Sequence, residues 1–538
     1  MSSPDPNGRR HGTPIILCAV ISIVLLYTVV DGVRGGWYEW LPGSMSRHRD
    51  AVAVGITAIA DGKWQGYASY RAVNRTLREG GLSVQKEDLV RVGAEHYFDV
   101  MTDPARLDAA LKAAASVDMP ASEGMYYSQD EKGMAIFYTI AFALFGISTA
   151  SWYWFYMLLY SLSVLAACLA FRQHREVLFF FLIVVCAQAI TSHLLPTIPR
   201  QDINVIHGNR FLGIMGSVAV FHLMFLVLQR KRPTVGQLVL ALFQTAIICC
   251  IVNARTSAAW LPISLTMLWA GVYFVQKIKA AHVTLRVPPG SWPVGMAIVG
   301  VAALLLHQKM GQDPAFRDGR AYGAHVFWHN LVTALHNNPL RTERYGIPSA
   351  YPIYDDQVAF LVFDREINRR GEDERSFLIR DPDWVYRTDD PNRDLRWAAY
   401  DSVLRDIFFR TIAADPAYAA YSFGIQQPLS ALSVIFGPNF FRAHGLPLAI
   451  SIGALILSLI VVVMKIPFHP GRDVPILAAA TFSAALPVMS AAAVELRVVE
   501  LFYVLLVDVL IGAAMLFATL NRRVLAIVSA KGRPRMWH

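Results

Sequence analysis

Residues 134–146 read MAIFYTIAFALFG, and after three residues the chain continues with ASWYWFYMLLYSLSVLAACLAF at 150–171. The second run carries no charge and is long enough to cross a bilayer as a helix, for which about 20 apolar residues suffice. The first run is long enough for a helix but short for a crossing. The placement of these two runs decides on which side of the membrane every later segment lies.

The composition of the whole chain is typical of a membrane protein. Of its 538 residues, 55% are hydrophobic and 17% are charged, whereas soluble proteins carry about 25% charged residues. The charges fall in blocks between long apolar runs. This pattern excludes a soluble enzyme, a disordered scaffold and a nucleic-acid binder, so no nucleic acid is expected as a partner despite the net charge of +9.

The apolar runs predict an all-α polytopic membrane protein with about 10–11 transmembrane helices and two extracytoplasmic segments. The predicted spans are 14–30, 150–171, 177–195, 211–228, 238–252, 258–275, 293–306, 446–464, 474–494 and 498–520. Six of the remaining segments hold 17 Lys and Arg against 3 acids, namely the N-terminal tail, 172–176, 230–232, 277–286, 465–473 and the tail after 521. Because basic segments stay in the cytoplasm, both termini are expected there. We expect a multi-pass integral protein of the bacterial inner membrane, with 14–30 as an uncleaved span.

This topology divides the chain into six parts. They are a cytoplasmic tail with the first span (1–31), a first extracytoplasmic loop with juxtamembrane helices (32–149), a transmembrane core (150–307), an extracytoplasmic domain (308–442), C-terminal transmembrane helices (443–520) and a basic cytoplasmic tail (521–538). The run 134–146 is interpreted as a juxtamembrane helix whose upper face the first loop covers; an eleventh crossing is the alternative. Helices are also predicted at 104–115 and 395–411. All five cysteines lie in apolar runs, so no disulfide is expected in the outer segments.

Carboxylates at the membrane boundary are the first candidates for chemistry. Asp31 closes the first span, and Asp130 and Glu131 precede Lys132 directly before the apolar run 134–146. A carboxylate there can accept a proton from a bound hydroxyl, and the lysine can hold a phosphate. The alternatives are that Asp31 only ends a helix in water and that the two later acids only cap one.

Basic residues on the predicted outer side are contrary to the positive-inside rule, and we expect such residues to have an anionic partner. Arg210 lies in the short loop before the fourth span, and Arg497 lies between the last two spans with Glu500 nearby. Arginine suits bidentate recognition of phosphate, but a salt bridge to a loop acid explains the same residues. Asp508 lies inside the last span, where an ionisable residue marks a functional site unless it pairs with a neighbouring span.

A possible polar cluster occurs in the second outer segment. His325 and His329 share one helix face at a spacing of four, and Asp355 and Asp356 follow. Imidazole and carboxylate are metal ligands, but the spacing alone is a common pattern. We therefore favour a polar packing cluster and assign no metal, with a divalent cation left open as an alternative cofactor.

The arrangement resembles the GT-C superfamily of lipid-dependent membrane glycosyltransferases. The similar features are a first span that ends in an acid, a long first outer loop, and the acid–Lys–Gly element with an aromatic apolar helix in QDEKGMAIFYTIAFALFG (129–146), followed by a core rich in spans. This resemblance implies an outer-loop carboxylate as base, with Asp31 as the candidate and Asp130 and Glu131 as competitors. It also implies a polyprenyl-phosphate sugar as donor, whose phosphate Lys132, Arg210 and Arg497 would bind.

The function expected from these features is a membrane glycosyltransferase that acts outside the cytoplasmic membrane and takes its donor from membrane lipid. A transporter or flippase of lipid-linked saccharide is the main alternative. A non-catalytic membrane partner that docks through the second outer segment is a further one. The absence of internal hydropathy repeats speaks against the transporter, because many transporters contain them.

Overall fold

The structure is a computed structural model of the chain. It describes residues 12–34, 49–77, 79–80, 104–117, 125–127, 132–194, 212–229, 233–280, 291–310, 327–336, 357–373, 377, 397–435, 457, 477, 480–482, 484–486, 500–516 and 520.

The described residues are almost all helical. In the first 310 residues the helices are α1 (Gly12–Arg34), α2 (Arg49–Asp61), α3 (Arg71–Leu77), α4 (Pro104–Ala115), α5 (Lys132–Phe145), α6 (Ala150–Ala170), α7 (Arg175–Leu194), α8 (Leu212–Gln229), α9 (Val235–Ala254), α10 (Trp260–Ala280) and α11 (Trp292–Met310). Two short strands, β1 (Ala68–Tyr70) and β2 (Met125–Tyr127), pair antiparallel. Later helices are α12 (Phe327–His336), α13 (Gln357–Arg370), α14 (Trp397–Ala414), α15 (Pro416–Tyr421), a π-helical turn (Ser422–Gln426), α16 (Gln427–Ile435) and α17 (500–516).

Five helices of the described chain are long and apolar enough to cross a membrane. They are Thr13–Arg34, Ala150–Ala170, Arg175–His193, Leu212–Gln229 and Val235–Ala254, and they coincide with the first five predicted spans. Shorter apolar helices cover Lys132–Phe145, Trp260–Phe274 and Trp292–Leu304. The protein is therefore an all-α membrane protein. Of the predicted spans 446–464 and 474–494, the structure describes only residue 457 in the first and residues 477, 480–482 and 484–486 in the second.

The termini of several helices lie together at one end of the helix bundle. Asp31, near the end of α1, contacts His193 near the end of α7, and the hydroxyl of Tyr153, near the start of α6, donates to the carbonyl of Val29 at 2.8 Å. The ends of α1 and α7 and the start of α6 therefore lie together. We call this end of the bundle the loop face, because α1 leads from it into the first loop.

Helix α5 has both of its ends at the loop face. At its start, Gly133 lies so close to α9 that a Cβ would overlap the backbone of Asn253 and Ala254, the last residues of that helix. At its end, Gly146 adopts a φ of 81°, which glycine accepts readily, and the turn leads back into α6. A helix of 14 residues with this placement lies across the bundle end instead of passing through it.

Helix α2 covers the side of α5 that faces away from the bundle. Gly55 of α2 packs on the side chain of Phe142 and on the backbone of Tyr138 and Thr139. On its other side, α5 presents Phe137 to Trp152 of α6, with ring centroids 4.2 Å apart. The protein cover that an apolar juxtamembrane helix needs is thus supplied by α2. The sequence analysis expected the first loop to cover α5, but it did not predict which helix of the loop does so.

The segment between α11 and α17 contains a separate helical domain with its own core. Helices α12, α13 and α14 enclose buried apolar side chains that are distinct from the core of the bundle. Within this core, Nδ1 of His329 lies 2.7 Å from the hydroxyl of Tyr400, and its ring packs against Phe360. His329 therefore belongs to a packed polar contact in the domain core.

A charged cluster joins α13 to α14 in this domain, which we call the outer domain because its core is separate from that of the bundle. The carboxylate of Glu366 accepts hydrogen bonds from Arg369 at 2.8 Å, from Arg370 at 2.6 Å and from Arg410 at 2.5 Å. The hydrogen bonds from Arg369, followed by those from Arg370 and Arg410, lower the pKa of Glu366 to about 2. The carboxylate is thus charged throughout the neutral pH range and holds the two helices together.

Neutralising this carboxylate is expected to weaken the outer domain. Glu366→Gln should lower the free energy of unfolding by about 1–2 kcal/mol at pH 7, a modest value because solvent screens the half-exposed arginines. Because the folded pKa lies below the ordinary 4.5, this stabilisation is present above about pH 4.5 and is lost as the pH falls towards about 2.

Calorimetry of the full chain in nanodiscs between pH 7 and pH 3 measures this effect. The matched control is Glu372→Gln, since Glu372 is exposed and its carboxylate lies 3.6 Å from Arg370. An equal loss of stability in both variants would contradict the assignment.

Candidate functional site

A carboxylate and an imidazole meet at the loop face. The carboxylate oxygens of Asp31 lie 3.2 and 3.3 Å from Nδ1 of His193. The pair joins the last turn of α1 to the last turn of α7, two helices that pack along each other. The Asp31 side chain is 21% exposed and that of His193 is 55% exposed, so solvent or a substrate can reach both.

The local structure fixes the position of Asp31. An acid near the C-terminal end of a helix is disfavoured by the helix dipole, and the neighbouring imidazole offsets this when it is protonated. Tyr153 of α6 holds the same turn through its hydrogen bond to Val29, and a Cβ at Gly32 would lie 2.7 Å from the tyrosine hydroxyl. Asp31 is thus presented by a turn that α6 and α7 both support.

The half-buried Lys132 begins α5 at the same end of the bundle. Its ammonium lies 5.9 Å from the ring centroid of Tyr67, and burial lowers the pKa of Lys132. The strand pair brings these residues together, because β1 follows Tyr67 and Ala68 pairs with Tyr127, five residues before the lysine. A cation at a helix N-terminus adds to the positive end of the helix dipole, and an anion is favoured there.

The tyrosine under this lysine has an unusual backbone. Tyr67 has a φ of 70°, in the left-handed region that side-chain-bearing residues rarely adopt. Its side chain is fully buried, and burial raises the pKa of its hydroxyl to about 12. The ring is therefore a neutral surface for the ammonium, held by a strained turn of the kind that often occurs at functional sites.

A buried ionic contact lies where α9, α10 and α17 meet. Glu500, the first residue of α17 that the structure describes, is fully buried and accepts a hydrogen bond at 3.1 Å from the indole of Trp260. Nε of Arg255 lies 3.7 Å from its other oxygen. Gly213 lies near the start of α8, and a Cβ at this position would overlap the carboxylate of Glu500. The absence of a side chain therefore lets α8 approach Glu500.

This contact belongs to the loop face as well. Arg255 directly follows Ala254, whose backbone contacts Gly133 beside Lys132. One turn further into the bundle, the hydroxyls of Tyr503 and Ser217 lie 2.7 Å apart. The loop face thus carries an accessible carboxylate–imidazole pair, a half-buried lysine and a buried carboxylate–guanidinium contact.

The structure locates some of the predicted site residues and not others. Asp31, Lys132 and His329 are described, and the first two lie at the loop face while His329 lies in the core of the outer domain. The others fall outside the described residues, namely Asp130, Glu131, Arg210, Arg497, His325, Asp355 and Asp356. Among the residues that the structure describes, no group of three or more His, Cys, Asp or Glu could hold a metal ion.

Three residues of the loop face were missed by sequence reasoning. They are His193, Arg255 and Trp260. Arg255 carried a usable signal, because it ends a span on the outer side of the predicted topology, against the inside bias of basic residues. Nothing local in the sequence distinguishes His193 or Trp260, since each acts through a contact with a residue far away in the chain.

Comparison with protein-family models, with curated proteins and with solved structures finds no match for this chain.

The buried contact predicts a strong effect of neutralising Glu500. Glu500→Gln removes the buried negative charge beside Arg255 and should destabilise the protein by about 3–5 kcal/mol. Gly213→Ala should also destabilise it, because the added methyl group intrudes on the same carboxylate.

Thermal unfolding in nanodiscs measures both variants. Gly512→Ala is the control, because Gly512 lies in α17 with no atom near the Cβ position and alanine favours the helix. Unfolding temperatures for Glu500→Gln and Gly213→Ala as high as that of the control would contradict a stabilising role for the contact.

Proposed function

We propose that this chain is a multi-pass membrane glycosyltransferase that moves a sugar from a polyprenyl-phosphate-linked donor to an acceptor hydroxyl on the extracytoplasmic side. The observation that carries the proposal is the partly exposed Asp31–His193 pair at the end of the first apolar helix. A carboxylate beside an imidazole can act as a general base towards a bound hydroxyl. At the membrane boundary, such a base can reach both an acceptor hydroxyl in water and a donor that is held in the lipid.

The reaction would be a displacement at the anomeric carbon of the sugar. The acceptor oxygen forms a bond to that carbon, and the bond from the same carbon to the phosphate oxygen breaks. The phosphate leaves with the bonding electron pair on the lipid carrier. The acceptor proton passes to the carboxylate of Asp31, and His193 stabilises the carboxylate before the transfer and can carry the proton away.

The leaving phosphate gains negative charge and needs a cation. Lys132 is the described candidate, since its ammonium lies at a helix N-terminus where anions are favoured. Arg255 lies close to the start of the same helix, although it is engaged with Glu500. Arg210 and Arg497 stay candidates on the basis of the sequence. Asp130 and Glu131 stay competitors of Asp31 for the role of base.

The proposed topology has ten crossings, both termini in the cytoplasm and the loop face outside, in the bacterial inner membrane. The placement of α5 supports it, because a helix with both ends at the loop face adds no crossing. With ten crossings, every basic segment lies on the cytoplasmic side, as the positive-inside rule predicts.

A second candidate function is transport of a lipid-linked saccharide. A polar network inside the bundle favours it: Gln244 accepts a hydrogen bond from Ser163 at 2.7 Å, and its amide nitrogen lies 3.1 Å from Nδ1 of His222. Buried polar residues within apolar helices can mark a solute pathway. Helix–helix attachment explains the same network, because its members come from three different helices, α6, α8 and α9.

The transferase makes a prediction about Asp31. With purified protein in nanodiscs and a panel of polyprenyl-phosphate sugars, Asp31→Asn should lower the rate of lipid-phosphate release at least about 100-fold, because the general base is lost. His193→Asn should lower it less, because the carboxylate stays.

Glu372→Gln in the outer domain is the control and should keep the wild-type rate. Full release by Asp31→Asn would contradict the proposal. Movement of the saccharide across liposome membranes without any release, abolished by His222→Leu, would identify the transporter instead.

A further inference from the structure

One helical segment of the outer domain exposes large apolar side chains and buries several polar ones. Residues 416–435 form a nearly continuous helix of α15, the π-helical turn and α16. Most of the side chains buried on its inner face are polar, namely those of Ser422, Gln426, Gln427 and Ser430, and the apolar Ala419 and Pro428 are buried beside them. The side chains exposed on its outer face are large and apolar, namely Tyr421 at 44%, Ile425 at 50% and Leu429 at 58%.

Hydrogen bonds to another helix end explain why the polar face points inward. The amide of Gln427 donates to the carbonyl of Ala334 at 2.7 Å, and the hydroxyl of Tyr418 donates to the carbonyl of Leu335 at 2.6 Å. Both carbonyls belong to the last turn of α12, where helix carbonyls lack partners within their own helix. The segment therefore attaches to the domain through these hydrogen bonds and through Ala419 and Phe423, which pack on the apolar core. Its other apolar side chains face outward.

The π-helical turn keeps the apolar residues aligned. Tyr421, Ile425 and Leu429 are spaced by four, and such a spacing drifts around an α-helix of 3.6 residues per turn. The wider turn at Ser422–Gln426 takes up part of this drift. The result is one apolar stripe along the outward side, formed by Tyr421, Ile425 and Leu429, which we call the outer stripe.

Three observations identify what covers the outer stripe. Its exposed fractions, between 44% and 58%, are similar to those of apolar residues on the long apolar helices of the bundle, such as Leu165 at 52% and Leu242 at 57%. The described part of the segment ends at residue 435, and ten residues separate it from the predicted span 446–464, so the chain is expected to return to the membrane directly after it. The charged cluster of the domain lies elsewhere, between α13 and α14.

We infer that the outer stripe lies in the bilayer surface, with Ile425 and Leu429 in the acyl region of the adjacent leaflet and Tyr421 at the level of the head groups. Tyrosine is favoured at that interface because one end of its side chain is apolar and the other is wet. The outer domain is thus held on the membrane by a helix that lies in its surface. This inference does not depend on the proposed catalytic activity.

A fluorescence quenching experiment tests the inference on the full chain. All five native cysteines are replaced by alanine, and Ile425→Cys is labelled with the environment-sensitive dye NBD. The protein is placed in phosphatidylcholine nanodiscs whose lipids carry a nitroxide near the glycerol end of the acyl chain. Ser402→Cys, at an exposed position of α14 next to its charged residues, is the matched control, and Leu429→Cys is a second probe.

The expected result is quenching by the nitroxide lipid that is several-fold stronger at Ile425 and Leu429 than at Ser402, with the opposite order for aqueous iodide. Strong iodide quenching at Ile425 would mean that the stripe faces water and would overturn the inference. Protection from both quenchers would mean that a protein surface or a second copy covers the stripe, which would overturn it as well.

Discussion

The close approach of Gly133 to the end of α9 is the contact on which the rest of the architecture depends. A side chain at this position would overlap the backbone of Asn253 and Ala254, so only glycine lets α5 begin there. Helix α5 is apolar and has 14 residues, and protein buries much of its apolar surface. The bundle covers it below and α2 covers it above, which is how the first loop comes to be fixed to the membrane helices.

The same arrangement assembles the candidate site. With α5 lying across the bundle end, Lys132 faces Tyr67 of the first loop, and α6 starts beside the end of α1 and supports Asp31. A cation at a helix start and a carboxylate–imidazole pair then lie on one face of the molecule. This combination of a half-buried cation and an accessible carboxylate is the observation that supports our proposal of group transfer from a phosphate-linked lipid.

The sequence predicts those parts of the fold that follow from local patterns. Helix α4 has the predicted bounds of 104–115, and the predicted helix 395–411 appears as α14, shifted by a few residues. Helix α9 begins before the predicted 238, because Thr234 and Gln237 form reciprocal capping hydrogen bonds. That signal lies in polar residues, outside the apolar run on which the prediction was based.

The contacts of the candidate site are less predictable because they join distant parts of the chain. Asp31 could be chosen from its place at the end of a span, but its partner His193 is 162 residues away. Glu500 and Trp260 are 240 residues apart, and their contact depends on the way in which three helix ends meet. The outer stripe could not be predicted from the sequence either. The spacing of polar and apolar residues shows that a helix has a polar and an apolar side, but it does not show which side is buried.

The placement of α5 is the central claim, and a labelling experiment with a membrane-impermeant maleimide tests it most directly. Ser116→Cys, exposed after α4, and Gln173→Cys, exposed between α6 and α7, are compared in intact and permeabilised cells. The wild-type protein is the blank, because its five cysteines lie in apolar segments. If α5 does not cross, residue 116 is labelled in intact cells and residue 173 only after permeabilisation. Labelling of both residues in intact cells would show that α5 crosses the membrane and would contradict the account.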